Sequence, residues 1–248
     1  MVAALGLVAG CSSAGNTREA PLAPPPGFKE VEFAAADGRR VYADFYPASP
    51  QSSKRMILMF HQAGSNAGEY ETIAPQMTKL GFNCVAVDQR SGGGMWGRTN
   101  RTVDQSGSGE YLDAYKDLEG ALKYAQTEQY SPVIVWGSSY SASLVLRLAS
   151  EHREIKAVIS FSPGEYMDDK SIVAKWASKL TQPTFFACTP EELTDGRQRL
   201  FNAIPAKNKV LVSLPEGVHG SSTLIPDKSK AAGQYMQRLK AFLTALKE

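Results

Sequence analysis

Long apolar runs are scarce in this 248-residue chain. No internal stretch reaches the roughly 18 to 20 apolar residues that a membrane-spanning helix needs. An excess of charge of one sign is also missing. Lys and Arg total 27 against 25 Asp and Glu, for a net charge of +2, and the two signs are interspersed. A nucleic-acid binder carries a basic stripe, and none is visible here. Cysteine is sparse, at three residues, which excludes a disulfide-built scaffold. Histidine is equally sparse, at three residues, so any chemistry that needs an imidazole has few places to reside. Internal repeats are lacking, and the glycine-rich loop after the strand at 82–88 lacks the Gly-Lys-Ser/Thr of a P-loop.

What is present is enough apolar matter, 43%, for one sizeable core. After residue 27, strand-like and helix-like segments alternate. The stretch 31–47 reads as two strands around an Asp37-Gly38 turn. Continuous apolar runs at 55–60, 82–88, 132–136, 155–161, 183–188 and 208–214 read as buried strands. Helical spacing is expected near 68–80, 109–128, 139–151, 195–201 and from about 227 onward, with SIVAKWASKL also helical. This alternation predicts an α/β fold: a mostly parallel sheet of roughly eight strands, helices on both faces and an opening antiparallel hairpin. The segment between Ser162 and Leu180 has room for a small lid at most, so no large cap is expected.

The N-terminus differs from the rest. MVAALGLVAGC is apolar from Val2 to Gly10 and ends on Cys11. Leu7-Val8-Ala9-Gly10-Cys11 resembles a bacterial lipoprotein lipobox, which implies acylation of the Cys11 thiol. No Lys or Arg precedes the run and the run is short, as a truncated or misassigned start would produce. Residues 12–27, SSAGNTREAPLAPPPG, form a Pro-rich polar linker. The expected organisation is a signal segment over 1–11, the linker over 12–27 and one domain over 28–248. The expected location is the bacterial cell envelope, lipid-anchored at the membrane through Cys11 or secreted to the periplasm.

The densest chemical signal is VIVWGSSYSASLVLRLAS, residues 133–150. A strand turning directly into a helix lifts its corner side chain clear of the sheet, and the positions two before and two after must be small. Gly137 and Ser141 meet that demand around Ser139, giving G-x-S-x-S, a variant of the nucleophile elbow. The alternative is that Ser138 or Ser139 is only a helix N-cap. A serine hydroxyl needs a base to become a nucleophile. His152 sits at the polar end of a helix and reads as a surface residue. His61 directly follows a buried strand. His219, in the loop after the last strand, lies at the sheet edge where strand C-termini gather, and is the candidate base. A carboxylate must hold the imidazole tautomer. Glu191 is the first choice, in the loop after the strand 183–188; Glu192 is second and Glu165 a further alternative. The loop DQRSGGGMWGRTNRT shares that edge, so Arg90, Trp96 and Arg98 are candidate substrate contacts, the alternative being solvated loop residues.

These pieces, MFHQAGSN, VAVDQRSGG, GSSYS, TPEEL and GVHG in that order, resemble an α/β-hydrolase of the dienelactone-hydrolase-like or prolyl-oligopeptidase-like serine hydrolase group. The resemblance covers about 28–248. It implies the α/β-hydrolase fold, an oxyanion hole from the N–H groups of Gln62 and Tyr140, and His61 in the oxyanion loop, structural there and a candidate substrate contact. It implies an acyl-enzyme on Ser139, no cofactor and no metal, with a small-molecule acyl substrate and no nucleic acid as partner. Two departures stand out. The acid here is Glu where many relatives carry Asp, and dienelactone hydrolases proper use cysteine where this corner has Ser139. Within the resemblance, an acyl-aminopeptidase-like peptidase and a non-catalytic hydrolase-fold binding lipoprotein remain as alternatives. In the strand order this fold implies, Cys84 and Cys188 sit four strand spacings apart, about 19 Å at about 4.8 Å each, so both are expected as free, buried thiols.

Overall fold

A computed structural model of the chain describes residues 27–246 together with Met1. Cys11 and residues 2–26, which carry most of the expected signal segment and linker, lie outside the described residues. Eight strands form a single mixed sheet in the order β1-β2-β4-β3-β5-β6-β7-β8. They are β1 Lys29–Ala34, β2 Arg40–Tyr46, β3 Met56–Phe60, β4 Asn83–Asp88, β5 Val133–Ser138, β6 Ile155–Phe161, β7 Thr184–Cys188 and β8 Lys209–Ser213. β1 and β2 are antiparallel around Gly38, whose φ of 82° suits the turn. β2 also meets β4 antiparallel, and every later pairing is parallel. This is the α/β-hydrolase fold.

Period-two alternation sorts the central strands between two cores. Met56, Leu58 and Phe60 of β3, with Val133 and Val135 of β5, face one side. Ile57, Met59, Ile134 and Trp136 face the other. The first face is covered by α3 Tyr115–Thr127, α4 Tyr140–Glu151, α5 Ile172–Ala177 and α6 Asp195–Ala203. The second is covered by a 3-10 turn at Ala67–Tyr70, by α1 Ala74–Thr78 and by α7 Ala232–Ala245. Between Ser162 and Leu180 the chain commits Met167, Val173 and Trp176 to the first core, so this segment is a packed wall of the domain. Among the described residues, no helix is long and apolar enough to cross a membrane.

Three local readings change. The helix expected over 68–80 is a 3-10 turn followed by the short α1, with Pro75 at the start of α1, where its missing N–H costs nothing. The helix expected from 109 begins only at Tyr115. The glycine-rich loop gives way to a helix that spacing did not reveal, α2 Arg101–Ser106. Asn100 accepts from the Val103 N–H at 3.0 Å to start it, and Gly107, with φ 76°, ends it. Arg101 pins that helix to Asp44 and Asp88, and Arg98 joins Asp44 at 2.7 Å.

Candidate active site

Ser139 occupies the corner between β5 and α4 with φ 59° and ψ −125°, a backbone conformation that costs a non-glycine residue energy. The surroundings impose it. Its N–H donates to the Phe161 carbonyl at 2.8 Å. Gly137 permits it, because a Cβ there would lie 2.3 Å from the Ser141 carbonyl oxygen. Ser141 is buried beneath the corner and donates to the His61 carbonyl at 2.6 Å. Its hydroxyl serves the turn in a way a glycine cannot.

His219 arrives from the loop after β8. Its Nε2 lies 2.7 Å from Ser139 Oγ, across 80 residues of sequence. Its Nδ1 faces Glu192 Oε1 in a short hydrogen bond. The other Glu192 oxygen accepts from the Ser162 hydroxyl at 2.6 Å and the Thr189 N–H at 3.1 Å. Burial works to raise the Glu192 pKa, but the bonds from His219, Ser162 and Thr189 outweigh it and hold the carboxyl down at about 2. A carboxylate, an imidazole and a hydroxyl are therefore linked in series. Such a series can draw a proton from the serine and keep the resulting imidazolium paired.

The partner of His219 is Glu192, and Glu191 is exposed beside it. The reason is a turn. The Glu192 N–H bonds back to the Thr189 carbonyl at 3.1 Å, with Pro190 and Glu191 at the outer positions. Glu165 is elsewhere, accepting from the Val173 and Ala174 N–H groups at 2.9 and 2.8 Å at the start of α5.

The Gln62 N–H donates to Glu69 Oε2 at 2.8 Å, so it is not free for an oxyanion. The next N–H, of Ala63, has no acceptor among the described residues. Tyr140 opens α4, where an N–H has no intrahelical acceptor. Flanking this corner, the Ala63 and Tyr140 N–H groups are thus without an acceptor among the described residues.

His61, a candidate substrate contact, is instead fully buried with both ring nitrogens occupied: its Nδ1 bonds the Gln62 carbonyl at 2.7 Å, and its Nε2 accepts from the Gln89 N–H at 3.0 Å. Burial pushes its pKa down, which keeps the ring neutral. Arg90 is 5% exposed and its guanidinium is taken by Asp37 and Asp117. Arg98 is taken by Asp44. Trp96 is half-buried, donating to Ser65 Oγ at 2.8 Å under Lys228. All four hold loops together. Ser162 and Glu69 carried no sequence motif, since each reads as an ordinary polar loop residue. His152 caps the C-terminus of α4 beside Glu154. Cys84 and Cys188 are free and buried, as expected. Among the described residues, no three His, Cys, Asp or Glu side chains converge as a metal site would require.

Residues 51–194 match the family Hydrolase_4, described as serine aminopeptidase, S33. The quorum-quenching protein AidA of Acinetobacter baumannii is 26% identical over 155 residues, 61% of this chain and 46% of that protein. The chain spans less than half the length of the curated relatives it matches. Among solved structures, the esterase Pf2001 of Pyrococcus furiosus superposes with a TM-score of 0.68 at 17% identity, over 88% of this chain and 92% of that one. A dienelactone hydrolase from Anabaena variabilis gives 0.67 at 16% identity, over 89% of this chain and 100% of that one. At these identities the structural likeness concerns the fold.

Proposed function

The chain belongs to the Hydrolase_4, serine aminopeptidase S33, family of serine hydrolases, and we propose that it cleaves small carboxylic esters through an acyl-enzyme on Ser139. The observation that carries this reading is the 2.7 Å approach of His219 Nε2 to Ser139 Oγ at a strained corner. His219 takes the hydroxyl proton as Ser139 Oγ bonds to the acyl carbon. The oxyanion forms between the Ala63 and Tyr140 N–H groups, where each donor contributes about 3 to 4 kcal/mol. His219 then gives its proton to the departing alkoxide, and the alcohol leaves. Water enters, loses a proton to His219 and attacks the acyl carbon; the bond to Ser139 Oγ then breaks, His219 returns the proton to that oxygen and the acid leaves. Glu192 holds the Nδ1 proton throughout and pairs with the imidazolium each time it forms.

Support for a small acyl substrate comes from the esterases that share the fold and from the modest segment between β6 and β7, which is packed into the domain. An acyl-aminopeptidase or a pure binding protein would respond differently to the same assay. Full-length protein is offered p-nitrophenyl acetate and butyrate and an amino-acyl p-nitroanilide. Ester turnover in the wild type, abolished in Ser139→Ala, supports the proposal; turnover of the anilide alone favours a peptidase, and none of either favours a binder. Lipid anchoring through Cys11 in a bacterial envelope is part of the same proposal. Its test is incorporation of labelled palmitate that Cys11→Ser abolishes.

A further inference from the structure

Glu69 is completely buried, yet its charge is eased by hydrogen bonds and by His219, with no lysine or arginine contributing. Burying a carboxylate without a cation partner is costly, and an apolar side chain would serve packing better. The contacts of Glu69 show what it does instead. Oε2 accepts the Gln62 N–H at 2.8 Å. Oε1 accepts the Ser138 hydroxyl at 2.6 Å. Ser138 Oγ in turn accepts the Ser221 N–H at 2.9 Å. The carboxylate therefore joins Gln62 and Ser138 directly, and the Ser221 loop through the Ser138 hydroxyl. Each of the three is one or two residues from a group in the proposed chemistry: Gln62 beside the Ala63 N–H, Ser138 beside Ser139, and Ser221 two beyond His219.

The hub is itself rigidly held. Glu69 lies on the 3-10 turn Ala67–Tyr70, which Asp88 anchors through the Ala67 N–H at 2.7 Å. The Tyr70 hydroxyl anchors the same turn on the Phe60 carbonyl at 2.7 Å. The approach is close enough to exclude a side chain at Gly220, whose added Cβ would sit 2.4 Å from Ser138 Oγ.

We infer that Glu69 is a positioning residue, a buried carboxylate that fixes the Ala63 N–H, the Ser139 hydroxyl and the His219 ring relative to one another. The inference rests on the acyl-enzyme reading of Ser139. Misplacing reacting groups by about 1 Å costs on the order of 100-fold in rate, whereas ground-state binding of a small ester is little affected. Glu69→Gln keeps the shape but offers one acceptor oxygen where two are needed.

The test uses full-length wild type, Glu69→Gln, Glu69→Asp, Ser138→Ala and the Glu69→Gln/Ser138→Ala double variant. Active sites are counted with a fluorophosphonate, and kcat per counted site and KM are measured on p-nitrophenyl butyrate. The expected result for Glu69→Gln is a kcat lower by about 10- to 100-fold, with KM changed by less than about 3-fold. Glu69→Asp, which keeps both oxygens, recovers part of the loss. The double variant loses less than the product of the single effects, because the two residues share one network. Wild-type kcat per counted site in Glu69→Gln overturns the inference, whatever happens to its thermal stability. If Glu69→Gln does not fold, Ser138→Ala cuts one arm of the hub, and an unchanged kcat there overturns it equally. A wild type that neither takes the label nor turns over overturns the acyl-enzyme reading and this inference with it.

Discussion

The Ser162 hydroxyl donates to Glu192 Oε2 at 2.6 Å, on the oxygen opposite the one that faces His219. Ser162 Oγ also accepts the Gly220 N–H at 2.9 Å, so one hydroxyl ties the carboxylate to the loop that carries the imidazole. Its backbone, with φ 54°, lies in the left-handed region just past β6. Glutamate has one more rotatable bond than aspartate. The Ser162 and Thr189 bonds remove that extra freedom.

Ser162→Ala is expected to lower kcat/KM on a p-nitrophenyl ester by about 10-fold, the scale of one lost charge-assisted hydrogen bond. Steady-state kinetics on folded, site-counted protein checks this. A variant with unchanged kcat/KM would mean that Thr189 alone suffices to hold Glu192.

Glu191 and Glu192 separate cleanly. Glu192→Gln removes the negative partner of the imidazolium and is expected to cost about 100-fold or more in kcat. Glu191→Gln alters an exposed side chain and is expected to stay within about 2-fold of wild type, as surface substitutions do. Parallel rate measurements on the two variants decide it, and the opposite ranking would remove Glu192 from the series.

The two carboxylates near the site, buried Glu69 and half-buried Glu192, act on stability with opposite sign. Glu192 is held down at about 2 against an ordinary 4.5, so the unfolded chain binds more protons between those values. Its contribution is present above about pH 4.5 and is lost as pH falls toward 2. Burial, partly offset by the Ser138, Gln62 and His219 interactions, pushes Glu69 up to about 7 from 4.5. Here the folded chain binds the extra proton, so stability declines as pH rises from about 4.5 to 7. His61, buried with its pKa pushed down, works in the other direction over part of that range. The comparison is therefore made as a difference. Urea denaturation from pH 4 to 8 should show Glu69→Gln gaining on wild type as pH rises. A constant difference across that range would contradict the assignment.

Asp44 is fully buried between Arg98 and Arg101, each at 2.7 Å. Asp44→Ala takes the carboxylate partner from Arg98 and leaves Arg101 with Asp88 and Glu30, and is expected to cost about 3 kcal/mol of stability. The reading is by denaturant titration. A loss below about 1 kcal/mol would show the arginines reaching water instead.

The sheet was legible because its central strands are buried on both faces and read as unbroken apolar runs, as in MILMF and IKAVISF. The corner at Ser139 was legible because steric need leaves a trace in residue size, at Gly137 and Ser141. His219 emerged because imidazoles are few and strand ends share one edge. The acid was misjudged by one residue, since Pro190 and Glu191 form the outside of a turn whose geometry depends on where Thr189 sits. That the Gln62 N–H is taken was hidden for a related reason: its acceptor, Glu69, lies seven positions away. Arg90, Arg98 and Trp96 sit in a glycine-rich stretch that suggests mobility, whereas their partners Asp37, Asp117, Asp44 and Ser65 come from four other parts of the chain. Charges and hydroxyls that pair over long sequence distances leave no local period. Ser162 and Glu69 are therefore visible only once the fold brings their partners together.

In the proposed mechanism His219 activates Ser139 as the nucleophile. Full-length protein is treated with a fluorophosphonate, and the modified residue is located by peptide mass mapping. The expected adduct is single and lies on Ser139, with none formed in Ser139→Ala and a labelling rate at least about 100-fold lower in His219→Ala. An adduct on another residue, or equal labelling rates in wild type and His219→Ala, would contradict it.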